Sequence, residues 1–61
     1  MENTQICAVV VNNMGDILTY TVRSTKQQCE EHAIEFFGEN VWNMLVKLGC
    51  KVVQCELKVL E

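Results

Sequence analysis

The chain has 61 residues, 49% of them hydrophobic, and a formal net charge of −3 from eight acidic and five basic side chains. A chain of this length forms one domain, so we treat residues 1–61 as a single unit with a small core. The acidic balance disfavours nucleic acid as the primary ligand, because Lys and Arg contacts to phosphate dominate that kind of affinity. The chain begins with a polar segment and has no apolar run of membrane-spanning length, so we expect a soluble, cytoplasmic protein.

The first apolar run predicts the central strand of a sheet. Residues 6–11 are all apolar and rich in β-branched side chains, which is typical of a strand that is apolar on both faces. The segment 12–16 carries Asn, Gly and Asp, the residue types of a tight turn. Residues 17–23 then alternate, with Leu18, Tyr20 and Val22 on one face. Two strands across a short turn that contains glycine predict a β-hairpin.

A helix is predicted to begin near Lys26. Ser24 or Thr25, with a glutamine three residues later, fits a capping box. Apolar residues then recur at spacings of three and four, which indicates an amphipathic helix: Cys29, Ala33, Phe36, Phe37, Val41, Met44, Leu45 and Leu48. We expect one helix that bends at Gly38, the alternative being two shorter helices with Asn40 as the second cap. Gly49 is the expected C-terminal cap.

The last segment alternates as a strand with one apolar face, and it completes the order strand, strand, helix, strand. We therefore predict an α+β fold of ββαβ type, with a three-stranded antiparallel sheet in the order 2-1-3 and one amphipathic helix on one face. The helix is expected to cover the face that carries Leu18, Tyr20, Val22, Val53, Cys55, Leu57 and Val59. The other face is expected to carry Thr19, Thr21, Gln54, Glu56 and Lys58 around an apolar strip. The predicted core contains Val9 or Val10, Leu18, Phe37, Leu45 and Leu57.

The cysteines and the single histidine do not predict a reactive centre. Cys29 and His32, with Cys50 and Cys55, are possible zinc ligands, but residues 29 and 50 are separated by most of a helix, roughly 30 Å. A thiol beside His32 on a helix lacks a cleft and oxyanion donors. We therefore expect reduced thiols, no metal or other cofactor, no catalytic residues and no enzyme activity.

Trp42 is the most informative single side chain for binding. It is offset from the densest apolar stripe of the helix and lies between Asn40 and Asn43. One interpretation places it in the core, as is usual for tryptophan. The other makes it a partly exposed anchor at a protein interface, where tryptophan is enriched. In that case its polar rim would consist of Glu35, Glu39 and Asn43, with Asn40 beside them.

The chain resembles the small Dmd antitoxins of T-even bacteriophages. The resemblance covers residues 6–58 through the strand order and the acidic helix, and it is strongest over 33–47 and 52–58. It implies a protein that binds a host endoribonuclease toxin in the host cytoplasm and blocks the RNA-binding cleft without touching RNA. It also implies a large aromatic contact on the helix at position 32, where this chain has His32 instead.

Two other functions stay open on sequence grounds. One is inhibition of another host enzyme, such as RNA polymerase or a defence nuclease. The other is a small nucleic-acid-binding module, which the scattered basic residues make the weaker alternative. We also expect that a homodimer could form, through the uncovered sheet face or through an edge strand.

Overall fold

The computed structural model describes residues 3–60. Its elements, in chain order, are β1 (Thr4–Val11), β2 (Ile17–Arg23), α1 (Lys26–Phe37), α2 (Glu39–Lys47) and β3 (Lys51–Lys58). The strands form one antiparallel sheet in the order β2-β1-β3. The predicted α+β class and strand order are confirmed. The prediction of a single helix is wrong, because the helical segment is divided in two.

Asn12 closes the turn of the β1–β2 hairpin. Its Oδ1 accepts hydrogen bonds from the backbone N–H groups of Met14 and Asp16, each at 2.9 Å. The backbone N–H of Asn12 donates to the carbonyl of Asp16 at 3.0 Å, which joins the two ends of the turn. Gly15 has φ of 85°, in the left-handed region that favours glycine. The predicted hairpin is therefore present, and the predicted turn residues form it.

A bulge of several residues in β2 interrupts its pairing with β1. Val10 pairs with Leu18 but Ala8 pairs with Arg23, so residues 19–22 lie opposite Val9 alone. Thr21 is fully buried there, and its hydroxyl accepts from the Val10 N–H at 2.9 Å. The same hydroxyl donates to the Leu18 carbonyl at 2.6 Å. The sequence predicts Thr21 on the polar face opposite the helix, but the bulge ends the simple alternation of β2 and Thr21 is buried.

Gly38 separates the two helices. The α1 helix begins as predicted, with the Thr25 hydroxyl accepting from the Gln28 N–H at 3.1 Å. Gly38 has φ of 89° and ψ of 148°, a conformation that is almost restricted to glycine and is not helical. Its N–H donates to the Ile34 carbonyl at 2.8 Å, and its own carbonyl accepts from the Trp42 N–H at 2.9 Å. Gly38, and not Asn40, is thus the N-cap of α2, with no side-chain cap bond.

The α2 helix ends in a Schellman motif around Gly49. Gly49 donates its N–H to the Val46 carbonyl at 3.1 Å, and Cys50 donates to the Leu45 carbonyl at 3.0 Å. Gly49 has φ of 112°, as the predicted glycine cap requires. A Cβ at this position would lie 3.1 Å from the Cβ of Asn13, in the hairpin turn. The glycine therefore also lets two chain reversals approach each other closely.

The core lies between the sheet and the helices, and small side chains form its centre. Ala8, Cys29 and Ala33 have no exposed surface, so α1 can approach the central strand closely. The buried cluster consists of Ala8, Val10, Cys29, Ala33, Trp42 and Cys50, with Leu18, Ile34, Phe37, Leu45 and Val52 partly buried against it. Of the two alternatives Val9 and Val10, Val10 is the one in this core, and the predicted core positions of Leu18, Phe37 and Leu45 are confirmed in part.

The predicted assignment of β3 to the two sheet faces is wrong. Directly paired residues of antiparallel strands share a face, and Val10 of the covered face pairs with Val52, while Ala8 pairs with Gln54. Even-numbered residues of β3 therefore lie on the helix side, and Val53, Cys55 and Leu57 lie on the opposite side. Leu57 is 49% exposed and does not belong to the core. The small side chain of Ala8 explains why α1 packs on this face of β1, since it admits the helix where the bulkier Val9 would not.

The face opposite the helices is apolar. We call it the open sheet face and define it by Cys7, Val9, Val11, Ile17, Val53, Cys55 and Leu57. On the central strand Cys7 and Val9 are buried, whereas Ile17 at the edge of this face is 62% exposed. Neither helix within residues 3–60 is long and apolar enough to cross a membrane.

Candidate functional site

An exposed group of aromatic rings lies where β2 meets α1. The rings of Tyr20 and Phe36 are 5.5 Å apart between centroids, and those of His32 and Phe36 are 5.9 Å apart. Tyr20 is 53% exposed and Phe36 is 59% exposed, although both are large rings that proteins tend to bury. We call Tyr20, His32 and Phe36 the aromatic patch. Exposed, mutually packed aromatic rings are typical of protein-binding surfaces.

Arg23 holds the aromatic patch in place. Its guanidinium donates from Nη2 to His32 Nδ1 at 2.9 Å and from Nη1 to the Val22 carbonyl at 2.6 Å. A longer bond of 3.5 Å reaches the carbonyl of Tyr20. Because a guanidinium only donates, His32 Nδ1 is the acceptor of this bond. One side chain thus joins the bulge of β2 to α1.

A continuous series of ring contacts leads from the aromatic patch into the core. Phe36 packs edge-on against Phe37 at 4.9 Å, and Phe37 stacks on Trp42 at 6.4 Å between centroids. Trp42 is only 4% exposed. The sequence allowed two interpretations of Trp42, a core residue or an interface residue, and the structure places it in the core. The core interpretation is therefore confirmed, and the alternative of a partly exposed anchor is wrong, because the ring stacks on Phe37 of α1.

The other predicted contact residues fall into two groups on either side of Gly38. His32 is half-buried and Glu35 is exposed, both on α1. Glu39, Asn40 and Asn43 are exposed on α2. The burial of Trp42 removes the residue around which Glu35, Glu39 and Asn43 were expected to form a polar rim. Of these five residues, His32 belongs to the aromatic patch, and Glu35 lies on the same helix as His32 and Phe36.

Carboxylates flank the aromatic patch on α1. Glu31 and Glu35 are one turn apart and both exposed, and Glu31 accepts a hydrogen bond from the Gln27 amide at 3.2 Å. Glu35 directly precedes Phe36 in the chain. The result is an apolar aromatic surface with an acidic border, which suits a partner surface that combines an apolar pocket with Lys or Arg.

The densest apolar stripe of α2 faces outward. Val41, Met44 and Leu48 follow one another at helical spacing and are 44%, 59% and 59% exposed. The helix instead buries Trp42 and, in part, Leu45. We call Val41, Met44 and Leu48 the α2 stripe. It is a second apolar surface, without aromatic rings.

Two of the four cysteine thiols have a raised pKa. All four cysteines are free, and Cys29 is buried with its Sγ donating to the Thr21 carbonyl at 3.3 Å. Burial raises the pKa of the Cys29 thiol above its ordinary value, which favours the unreactive thiol form. Burial, and then the neighbouring Cys7, raise the pKa of Cys55 in the same direction. Among residues 3–60, no three His, Cys, Asp or Glu side chains lie together in a way that could hold a metal ion.

Sequence reasoning missed Tyr20 and Phe36. Both were assigned to buried apolar faces, Tyr20 by alternation along β2 and Phe36 by helical spacing. Alternation along β2 predicted the side of Tyr20 that meets α1, where its ring contacts Phe36, but it did not predict that the ring is 53% exposed. The spacing of four between His32 and Phe36 does place the two rings on one helix face, which was the available signal.

Comparisons with protein-family models, with curated proteins and with solved structures give no match to this chain.

Proposed function

We propose that this chain is a protein-binding inhibitor, an antitoxin of phage type that occupies the RNA-binding cleft of a host endoribonuclease. The observation that carries the proposal is the aromatic patch, with two large rings each more than half exposed beside the carboxylates of Glu31 and Glu35. The resemblance to Dmd antitoxins supplies the class of partner. The net charge of −3 supports a basic target surface.

The inhibition is steric and electrostatic. Phe36 and Tyr20 fill an apolar pocket of the toxin, and the neighbouring carboxylates pair with cationic groups that would otherwise hold RNA phosphates. The inhibitor performs no chemical step. Association should slow as ionic strength rises, because exposed charges steer the encounter and salt screens them.

Affinity capture from a bacterial lysate tests the proposal. The wild-type chain should retain an endoribonuclease, identified by mass spectrometry. The Phe36→Ala variant should retain much less, since loss of an aromatic anchor costs about 2 kcal/mol or more, roughly thirtyfold in affinity. Recovery of RNA polymerase subunits, or of nucleic acid alone, would contradict the proposal.

Val41→Ala is the matched control. Val41 is 44% exposed on the α2 stripe, so its truncation removes apolar surface away from the aromatic patch. It should capture the toxin as well as the wild-type chain does. Equal losses for Val41→Ala and Phe36→Ala would assign binding to the helices in general and not to the patch. Thermal melting of both variants checks that each is folded.

A further inference from the structure

The two edges of the sheet differ in their capacity to pair with another strand. On the β2 edge, the bulge over residues 19–22 interrupts the strand, and the Arg23 guanidinium occupies the carbonyls of Tyr20 and Val22. On the β3 edge, all eight residues from Lys51 to Lys58 pair regularly with β1, without a bulge or a proline. Proteins commonly blunt edge strands to prevent pairing. Here the bulge blunts β2, whereas β3 keeps a regular backbone edge whose charged side chains include Glu56 and Lys58.

The backbone of β3 presents alternate residues to this free edge. The Val59 N–H donates to the Asn3 carbonyl at 2.9 Å, so the backbone groups of Val59 are directed toward β1. Alternation along the strand then directs the groups of Leu57 and Cys55 toward β1 as well. The N–H and C=O groups of Glu56 and Lys58 therefore lie along the free edge.

The geometry points to a homodimer in which β3 pairs antiparallel with β3 of a second copy, about a two-fold axis at Leu57. In this register Glu56 lies opposite Lys58 of the second copy, and Lys58 lies opposite its Glu56. These are the residues whose backbone groups are free to exchange hydrogen bonds. The dimer therefore contains two cross-strand pairs of opposite charge, each between Glu56 of one copy and Lys58 of the other. Such pairs stabilise a sheet.

Neighbouring registers lack this complementarity. With the axis at Glu56, two like carboxylates would lie directly opposite each other, which is destabilising. With the axis at Cys55, Lys58 would lie opposite Val52. With the axis at Leu57, the open sheet face gains an apolar contact between the two Leu57 side chains, each 49% exposed in the single chain. The segment from Cys55 to Val59 is thus self-complementary in charge on one face and in apolar surface on the other.

The dimer would have a six-stranded sheet with β2 at both outer edges. Because β2 and β3 are opposite edges of the sheet, pairing through β3 leaves the aromatic patch of each copy free. Dimerisation through β3 is therefore independent of toxin binding through the aromatic patch. If both hold, one dimer presents two toxin-binding patches.

Sedimentation equilibrium across the micromolar range tests the dimer through charge reversal. The wild-type chain should show a monomer–dimer equilibrium. Lys58→Glu alone and Glu56→Lys alone should each weaken dimerisation by about tenfold or more, because each turns two attractive pairs into two repulsive ones. The double variant Glu56→Lys with Lys58→Glu should restore dimerisation, since the exchanged charges again match. Lys51→Glu, at the far end of β3, should have no effect.

Cross-linking locates the axis independently. In the Leu57→Cys variant, oxidation with diamide should join two chains through residue 57, because the axis brings the two positions together. Val41→Cys, similarly exposed on α2, is the control and should stay uncross-linked. A monomer at every concentration would overturn the proposal. The proposed register would be overturned if Lys58→Glu and Glu56→Lys each left the dimer unchanged. It would also be overturned if the double variant failed to restore dimerisation.

Discussion

The Thr21 hydroxyl is the side-chain group on which the β2 bulge depends. It bonds both the Val10 N–H and the Leu18 carbonyl while fully buried. Thr21→Val keeps the shape of the side chain and removes both bonds, which leaves a buried N–H without a partner. We expect a loss of about 1–3 kcal/mol in the free energy of unfolding, measured by urea denaturation.

The exposed Thr19 provides the control for Thr21. Thr19→Val makes the same chemical change two residues away at an exposed position of β2. Its effect should lie within about 0.5 kcal/mol of zero. Equal stability of the Thr21→Val and wild-type proteins would show that the bulge does not rely on this hydroxyl.

The raised pKa values of Cys29 and Cys55 predict lower stability at alkaline pH. In each case burial raises the pKa of the thiol in the folded protein. An unfolded thiol titrates near about 8.5, so the folded state holds its proton more tightly above that pH. The stabilisation is complete below about pH 8.5 and is lost as the pH rises toward the folded pKa.

Urea denaturation at about pH 7 and about pH 9.5 measures this loss. The free energy of unfolding should be lower at the higher pH, and Cys29→Ala should reduce the difference. The reaction of the native thiols with a disulfide reagent should also be slow near neutral pH. Equal or greater stability at the higher pH would contradict the account.

At the residue scale, sequence reasoning succeeded where a short segment contains both partners of an interaction. Asn12 and Thr25 each bond backbone groups within four residues, so the turn and the α1 cap follow from local chemistry. Thr21 bonds Val10, eleven residues earlier, across a bulge. Its burial depends on the strand register, which residue types alone do not determine.

At the scale of elements, Gly49 joins the end of α2 to the hairpin turn. Gly49→Ala would place a side chain at φ of 112° and bring its Cβ to 3.1 Å from that of Asn13. Both effects are unfavourable, and we expect a loss of about 1–3 kcal/mol in the free energy of unfolding. Thermal or urea denaturation measures the change.

A double variant separates the two effects at Gly49. Asn13→Gly removes the Cβ that would clash, so Gly49→Ala in that background should lose less stability than it does alone. The remaining loss reports the backbone strain. Equal losses in the two backgrounds would show that the contact with Asn13 does not matter.

The rotation of α2 is the element-scale feature that the sequence did not reveal. The densest apolar stripe, Val41, Met44 and Leu48, was expected to face the sheet, yet it is exposed while Trp42 is buried. Once Gly38 ends α1, the direction of α2 is no longer tied to that of α1. One large ring in the core then determines which side of the short helix is buried.

At the scale of the whole molecule, the strand order was predictable because only the first strand is apolar on both faces and suits the centre of the sheet. The covered face was not predictable, because both faces of β1 are apolar. Because both faces of β1 are apolar, the molecule also has an apolar open sheet face. The aromatic patch and the α2 stripe are two further apolar surfaces. For a domain of 61 residues, three such surfaces are more typical of a protein that functions in complexes than of an isolated one.

Trp42 and Phe36 are expected to have different roles, the first in folding and the second in binding. Trp42 is 4% exposed, and its truncation to Ala should cost about 3–5 kcal/mol and unfold a domain of this size. Phe36 is 59% exposed, so Phe36→Ala should leave the protein folded. Two rings in one series of contacts thus have separable roles.

An RNA-cleavage titration tests the central claim most directly. A purified endoribonuclease toxin, taken from the capture experiment or from a panel of bacterial toxins, is incubated with labelled RNA and increasing amounts of this chain. Wild-type protein and Val41→Ala should abolish cleavage at equal concentrations, and Phe36→Ala should require roughly thirtyfold more. Undiminished cleavage at saturating wild-type protein by every toxin tested, or equal inhibition by Phe36→Ala, would contradict it.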